Sequence, residues 1–303
     1  MQHLLIALVC LAVLLKASEV FIDQVSAIAK RFRINSFLVG FTIVSIGTAL
    51  PDLVISTYSA SQGNPDFAIA TSLGSGIINI SLLLGVLGII TRYKLQKNDL
   101  ENNIPITIFA TVSFIILLLL FGGRFTWVGG LISLALFSFV VMFIKKQNHI
   151  PPGKTTGKFN LFFLLLSFLL LALSGKYTSD SFLKFADYFN LEDSIIGFLI
   201  VGVGISIPEL VASLQAIKKG NLQLSLGNIL GAFLINILAI PAICSFFTPL
   251  NFQPYIFTLI YIFFSLVMFL LFGLMGKEYY ISKKEGTALI FIYLLFLVLQ
   301  FFL

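Results

Sequence analysis

Apolar runs of membrane-spanning length recur along the whole chain, separated by short polar breaks. The breaks predict ten helices at roughly 3–30, 35–62, 65–91, 103–121, 125–145, 159–188, 193–218, 221–247, 254–276 and 285–303. A spanning helix needs about 20 predominantly apolar residues, and most of these runs are that long or longer. Residues 1–28 have no small-residue cleavage site after the apolar run and read as the first span.

Composition agrees with the pattern. Of 303 residues, 58% are hydrophobic and only 11% charged, with a mean hydropathy of +1.04. Soluble domains carry about 25% charged residues, so the expected fold is an all-α membrane protein with the lipid bilayer as its partner. The net charge of +6 sits between the apolar runs and speaks for topology, with no nucleic acid partner. Fifteen of the 19 lysines and arginines fall in loops on one side of the ten-span map, and the other loops receive only Arg124, Lys176 and Lys184. The positive-inside rule makes the first side cytoplasmic and places both termini outside. Cys10 and Cys244 lie in apolar runs and suggest no disulfide framework.

The longest polar stretch, Lys145 to Lys158, lies near the midpoint and separates two expected halves. These are a first five-helix repeat over 1–145, a cytoplasmic linker over 146–158 and a second five-helix repeat over 159–303. Sliding the chain by 157 residues aligns Phe32–Ile80 with Phe189–Ile237 without a gap, with about 17 identities in 49 positions. Five spans per half is an odd number, so the halves enter the membrane from opposite sides. Inverted repeats of this kind place their substrate near the midplane on interrupted helices.

The matching segments Gly47-Thr-Ala-Leu-Pro-Asp52 and Gly204-Ile-Ser-Ile-Pro-Glu209 each put a carboxylate deep in an apolar helix. A charge there costs about 2.5–3.5 kcal/mol even on insertion scales, which marks Asp52 and Glu209 as functional. Pro51 and Pro208 remove a helical N–H and free the carbonyls of Gly47 and Gly204. The next helix in each half carries Gly74-Ser-Gly-Ile-Ile-Asn79 and Gly231-Ala-Phe-Leu-Ile-Asn236. Ser75 and Asn79 share a helix face, and Asn236 is the partner of Asn79 in the repeat. Carboxylates, amides, hydroxyls and bare carbonyls suit Ca2+ or alkali cations. The two acids balance one divalent ion or two monovalent ones.

These segments resemble the two α-repeats of the cation/calcium exchanger superfamily, and the layout is most similar to its Na+/Ca2+ exchanger branch. The family pattern reads approximately G-T-S-x-P-E, followed by G-[small]-N-x-x-G-S-N-x-x-N/D. Lys16-Ala-Ser-Glu-Val-Phe-Ile-Asp23 also looks like the family's first helix. The resemblance implies ten helices, alternating access by sliding of a two-helix bundle, and exchange of Ca2+ against Na+ in a prokaryotic-type plasma membrane. It makes Asp52 and Glu209 the paired acids, and Thr48, Ser75, Ser206, Asn79 and Asn236 the ion-facing polar positions. Small inorganic cations are then the partners, as transported ions, with no cofactor and no protein partner evident.

Three departures stand out. Ala49 replaces a hydroxyl residue, Ile205 stands where the family has Thr, and Ala232 where it has Ser. The first half keeps Thr48 and Ser75, and its mirror image has lost both oxygens. In the family these hydroxyls help form two Na+ sites flanking the Ca2+ site, so one of the two is expected to be weakened here. Potassium-dependent relatives carry an acid at one of the positions of Asn79 and Asn236, so no K+ requirement is expected.

Asp23 and Asp180, also 157 apart, fall towards helix ends and read as interfacial. Asp66 reads as a helix N-terminal acid, His3 and His149 as solvent-facing, and Trp127 with Tyr279-Tyr280 as interfacial anchors. No phosphate loop, Walker lysine or nucleophile elbow occurs in these residues, so enzyme chemistry and ATP-driven pumping are not expected. Three alternatives to a Na+-driven antiporter remain: a proton-coupled exchanger, a passive channel and a transport-inactive ion sensor.

Overall fold

The computed structural model describes residues 2–32, 34–91, 93–147, 159–187, 206–251, 263–264, 267 and 280–302. They form helices α1 (Gln2–Phe32), α2 (Ser36–Thr48), α3 (Leu50–Ser61), α4 (Pro65–Thr91), α5 (Asp99–Leu120), α6 (Trp127–Gln147), α7 (Leu161–Asp187), α8 (Ile207–Lys218), α9 (Leu222–Cys244) and α10 (Lys283–Phe302). Four two-residue strands complete the description: β1 (Tyr93–Lys94), β2 (Arg124–Phe125), β3 (Leu250–Asn251) and β4 (Tyr280–Ile281). Among the described residues α4, α5, α6 and α9 are each long and apolar enough to cross a bilayer, and the bent pair α2–α3 is a fifth candidate. The expected helix over 254–276, apart from three residues, lies outside the described residues. So do the expected helix over 193–218 up to residue 205, the linker beyond Gln147, Gly204 and Ile205.

The breaks have local causes. Between α2 and α3 the chain bends by 50° at Ala49, which takes φ −79°, ψ 2°. Pro51 follows two residues later and cannot donate back to Gly47, so the helix cannot run on unbroken. Ser206, at the equivalent position before Pro208, takes φ −81°, ψ 4°. Asn64 caps α4, with Pro65 in its first turn. At α10 the Glu285 carboxylate accepts from the Ser282 backbone N–H and hydroxyl, a capping box.

Among the described residues four helices contain or begin with a π turn that the apolar periodicity does not announce, one of them α2 at Gly40–Val44. Asn79–Leu83 in α4 and Ile235–Ala239 in α9 lie at nearly equivalent positions of the repeat, and Asp99–Asn103 opens α5. Because of that last turn α5 starts at Asp99 instead of residue 103. The Asp99 carboxylate accepts from the Gln96 N–H at 2.8 Å and from the Asn103 amide at 2.9 Å, so its side-chain bonds hold a polar stretch in helix.

The chain packs as two compact units, Met1–Pro51 with Asn148–Ala232 and Asp52–Gln147 with Phe233–Leu303. In the first, α1 lies along α7, and Phe21, Ile22, Val25, Val44, Leu171 and Val211 form an apolar core. There α2 crosses α9 at backbone contact. A Cβ on Gly40 would collide with the Leu224 carbonyl, and one on Gly227 with the Phe37 carbonyl. Small residues let membrane helices approach this closely. Lys219 reaches Asp23 at 2.5 Å and the Glu19 carbonyl at 2.8 Å, so Asp23 is a half-exposed ion-paired residue.

In the second unit α4 packs on α10, and α6 packs on the π turn of α9. The strand β1 pairs with β4 and β2 with β3, both antiparallel. The Ser133 hydroxyl on α6 donates to the Leu238 carbonyl at 2.9 Å, satisfying a carbonyl within the π turn.

Candidate cation site

Asp52 is fully buried in the first turn of α3, where the helix N-terminus favours a negative charge. Ser75 on α4 donates its hydroxyl to Asp52 Oδ1 at 3.2 Å, and Oδ2 has no hydrogen-bond partner among the described residues. The Asn236 amide approaches Asp52 without closing a hydrogen bond. The side-chain amides of Asn79 and Asn236 are buried without a hydrogen-bond partner among the described residues. Gly76 lets α4 close on α9 here, since a Cβ would sit 3.1 Å from Ile237 and 3.5 Å from the Asn236 Cβ. Ser72 donates to the Asn236 carbonyl and fixes the π turn that carries this side chain.

The first unit holds the other acid. Glu209 is fully buried in the first turn of α8. Beside it Asn228 on α9 is the centre of a closed network. Its Oδ1 accepts from the Thr48 hydroxyl at 3.2 Å, and its Nδ2 donates to Ser213 Oγ at 2.9 Å and to the Glu209 carbonyl at 3.3 Å. Ser206 Oγ is buried and has no partner among the described residues. Gly47 is buried, and a Cβ there would meet the Phe168 ring at 3.1 Å.

The structure thus groups Asp52, Ser75, Asn79 and Asn236 in one unit and Thr48, Gly47, Ser206 and Glu209 in the other. Asn228 was not singled out by sequence reasoning, because the 157-residue shift sets it against Thr71 and it scores as no identity. Two signals were usable: the Asn that the family pattern sets three residues before Gly231, and the stripe at four-residue spacing, Asn228, Ala232 and Asn236 in one half and Thr71, Ser75 and Asn79 in the other.

A buried polar atom without a partner costs about 1–3 kcal/mol, and native structures keep few of them. The Asp52 oxygen and two entire amides are such atoms, next to a carboxylate that needs a counter-charge. Carboxylate, hydroxyl and amide oxygens of this kind are the donor types that suit a hard cation. The donors gathered around Asp52 are a carboxylate, a hydroxyl and two amides.

Apolar helices around buried carboxylates, amides and hydroxyls define a class, the all-α integral membrane protein that handles ions. Residues 2–146 and 159–302 match the family of sodium/calcium exchanger proteins, and the chain belongs to that family. It is 28% identical to the sodium/calcium exchanger MaX1 of Methanosarcina acetivorans, with 99% of each chain covered. It is 25% identical to the inner membrane protein YrbG of Escherichia coli over 82% of this chain and 80% of that protein. A solved structure of the sodium-calcium exchanger NCX_Mj, soaked with Na+ and Sr2+, superposes with a TM-score of 0.83 at 26% identity over 97% of each chain.

Proposed function

We propose that the protein is a secondary antiporter that exchanges Ca2+ for Na+ by alternating access. Asp52 and Glu209 are the acids for which the two ions compete. Thr48, Ser75, Asn79, Ser206, Asn236 and the carbonyls of Gly47 and Gly204 supply further oxygens. The bundle reorients only when one ion set or the other neutralises the two charges.

One observation carries this reading: in a chain of the exchanger family, a fully buried Asp52 has one oxygen held by Ser75 and the other without a protein donor. The proposed architecture is ten spans in two inverted repeats, 1–145 and 159–303, joined by a cytoplasmic linker. Both termini lie outside a prokaryotic-type plasma membrane. The matched backbone of Ala49 and Ser206 and the paired π turns support the repeat.

The test is 45Ca uptake into proteoliposomes with Na+ and pH gradients imposed separately. Uptake driven by Na+, and lost in Asp52→Asn and in Glu209→Gln, is the expected result. Full uptake in either variant overturns the site. Proton-driven uptake would favour a second reading, a proton-coupled exchanger, to which the missing hydroxyls at Ile205 and Ala232 point. Absence of trans-stimulated exchange would indicate a channel or an inactive homologue.

A further inference from the structure

Helices α3 and α4 form an antiparallel hairpin joined by residues 62–64, and their facing residues make rungs. The first rung is Asp52 with Ser75, closed by the 3.2 Å hydrogen bond. One turn further from the bend at Ala49, the same register sets Ser56 opposite Thr71, since each lies four residues along its helix from the first rung. In the second half the equivalent rungs are Glu209 with Ala232 and Ser213 with Asn228. There the second rung is closed, with Asn228 Nδ2 on Ser213 Oγ at 2.9 Å.

In the first half that rung is open. Ser56 Oγ and Thr71 Oγ1 are buried and have no hydrogen-bond partner among the described residues, as is Asp52 Oδ2. Ser18 and Ser225 are the other helical Ser or Thr hydroxyls buried without a partner among the described residues, and most threonines are satisfied locally. Thr42, Thr57, Thr91, Thr107 and Thr111 each donate to the carbonyl four residues back. Ser56 and Thr71 decline that bond, although it is within reach of any helical Ser or Thr.

From these rungs we infer that Asp52 Oδ2, Ser56 Oγ and Thr71 Oγ1 form a subsite for a monovalent cation, one turn beyond the first rung, which shares Asp52 with the oxygens assigned above and adds two hydroxyls to them. The inference rests on Asp52 being a cation ligand. Three oxygens with a single formal negative charge match a singly charged ion, whereas a divalent ion would leave an unbalanced charge in a buried site. The asymmetry between the halves has the same explanation. In the second half the Asn228 N–H2 group occupies the rung and presents donors, which repel a cation. In the first half Thr71 presents an oxygen. The substitution of Thr for Asn at this repeat position therefore makes the subsite one-sided.

The experiment uses the purified full-length protein in detergent, with the melting temperature followed as NaCl replaces choline chloride. Na+ is expected to raise it in the wild type. Thr71→Val, which keeps the shape and removes the oxygen, and Thr71→Asn, which copies the second half, should each raise the half-saturating Na+ about ten-fold. Thr71→Ser should keep the wild-type value, and Ser56→Ala serves as a second probe should a Thr71 variant fail to fold. An unchanged Na+ dependence in Thr71→Val and Ser56→Ala, or no Na+ effect in the wild type, overturns the subsite and leaves the rung to water. Loss of 45Ca uptake is a separate readout: a protein that fails to transport Ca2+ but shows the Thr71-dependent Na+ effect retains the subsite and loses only the transport reading.

Discussion

The Ser75 hydroxyl donates to Asp52 Oδ1 across 3.2 Å, while Ala232, at the equivalent place in the other half, has no hydroxyl to give. Hydrogen bonds to a charged group contribute about 1.5–3 kcal/mol, because a buried carboxylate has no water to fall back on. Ser75→Ala should therefore raise the Ca2+ concentration for half-maximal 45Ca uptake about ten-fold or more. The helix itself should persist, since Ala is the best helix former.

The network around Asn228 predicts a different kind of defect. Asn228→Ala strips a partner from Thr48, Ser213 and the Glu209 carbonyl at once. Stability should fall by about 1–3 kcal/mol for the largest of these losses, read as a lower melting temperature in detergent. Thr71→Val removes an already unpartnered oxygen and should leave the melting temperature in Na+-free buffer equal or higher.

Backbone contact between α2 and α9 leaves no room for even one methyl group. Gly227→Ala would drive a Cβ into the Phe37 carbonyl, and Gly40→Ala one into the Leu224 carbonyl. Both variants should yield little monodisperse protein in size-exclusion chromatography. Gly63→Ala is the control for space: nothing lies within 4 Å of its Cβ position, and its φ of +79° costs only local strain.

Transport coupling tests the one-sided loss of hydroxyls. With Thr48 and Ser75 present but Ile205 and Ala232 in the mirrored places, the charge moved per Ca2+ should differ from that of a three-for-one exchange. Current and 45Ca flux measured together in the same proteoliposomes give the ratio. A three-for-one value would show that the missing hydroxyls are not needed. Replacing K+ by choline should leave the flux unchanged, because Asn79 and Asn236 are both neutral.

Much of the fold is legible because its signals are local. The apolar runs gave α4, α6 and α10 to within a few residues, and Pro51 marked the bend that the structure places at Ala49. Asp52 and Glu209 stand out because a carboxylate in an apolar helix is costly wherever the helix lies. Asp99 was harder to read, since its run of polar residues looks like a loop until its carboxylate is seen bonded to Gln96 and Asn103. The π turns at Asn79 and Asn236 were equally hidden, because one extra residue in a turn leaves no mark on an apolar pattern.

By itself, then, the sequence determined that the chain is a membrane protein, that Phe32–Ile80 aligns with Phe189–Ile237 at a shift of 157 residues, and that two acids follow two prolines. Hydropathy, proline geometry and repetition act through a few neighbouring residues and do not depend on packing. Only the tertiary structure decided which polar groups are satisfied. Thr48 and Asn228 are 180 residues apart in sequence yet share a hydrogen bond, while Ser56 and Thr71, at equally polar positions, lack one among the described residues. Such bonds depend on which helix faces cross and how closely, and the glycines at Gly40, Gly227 and Gly76 set that distance.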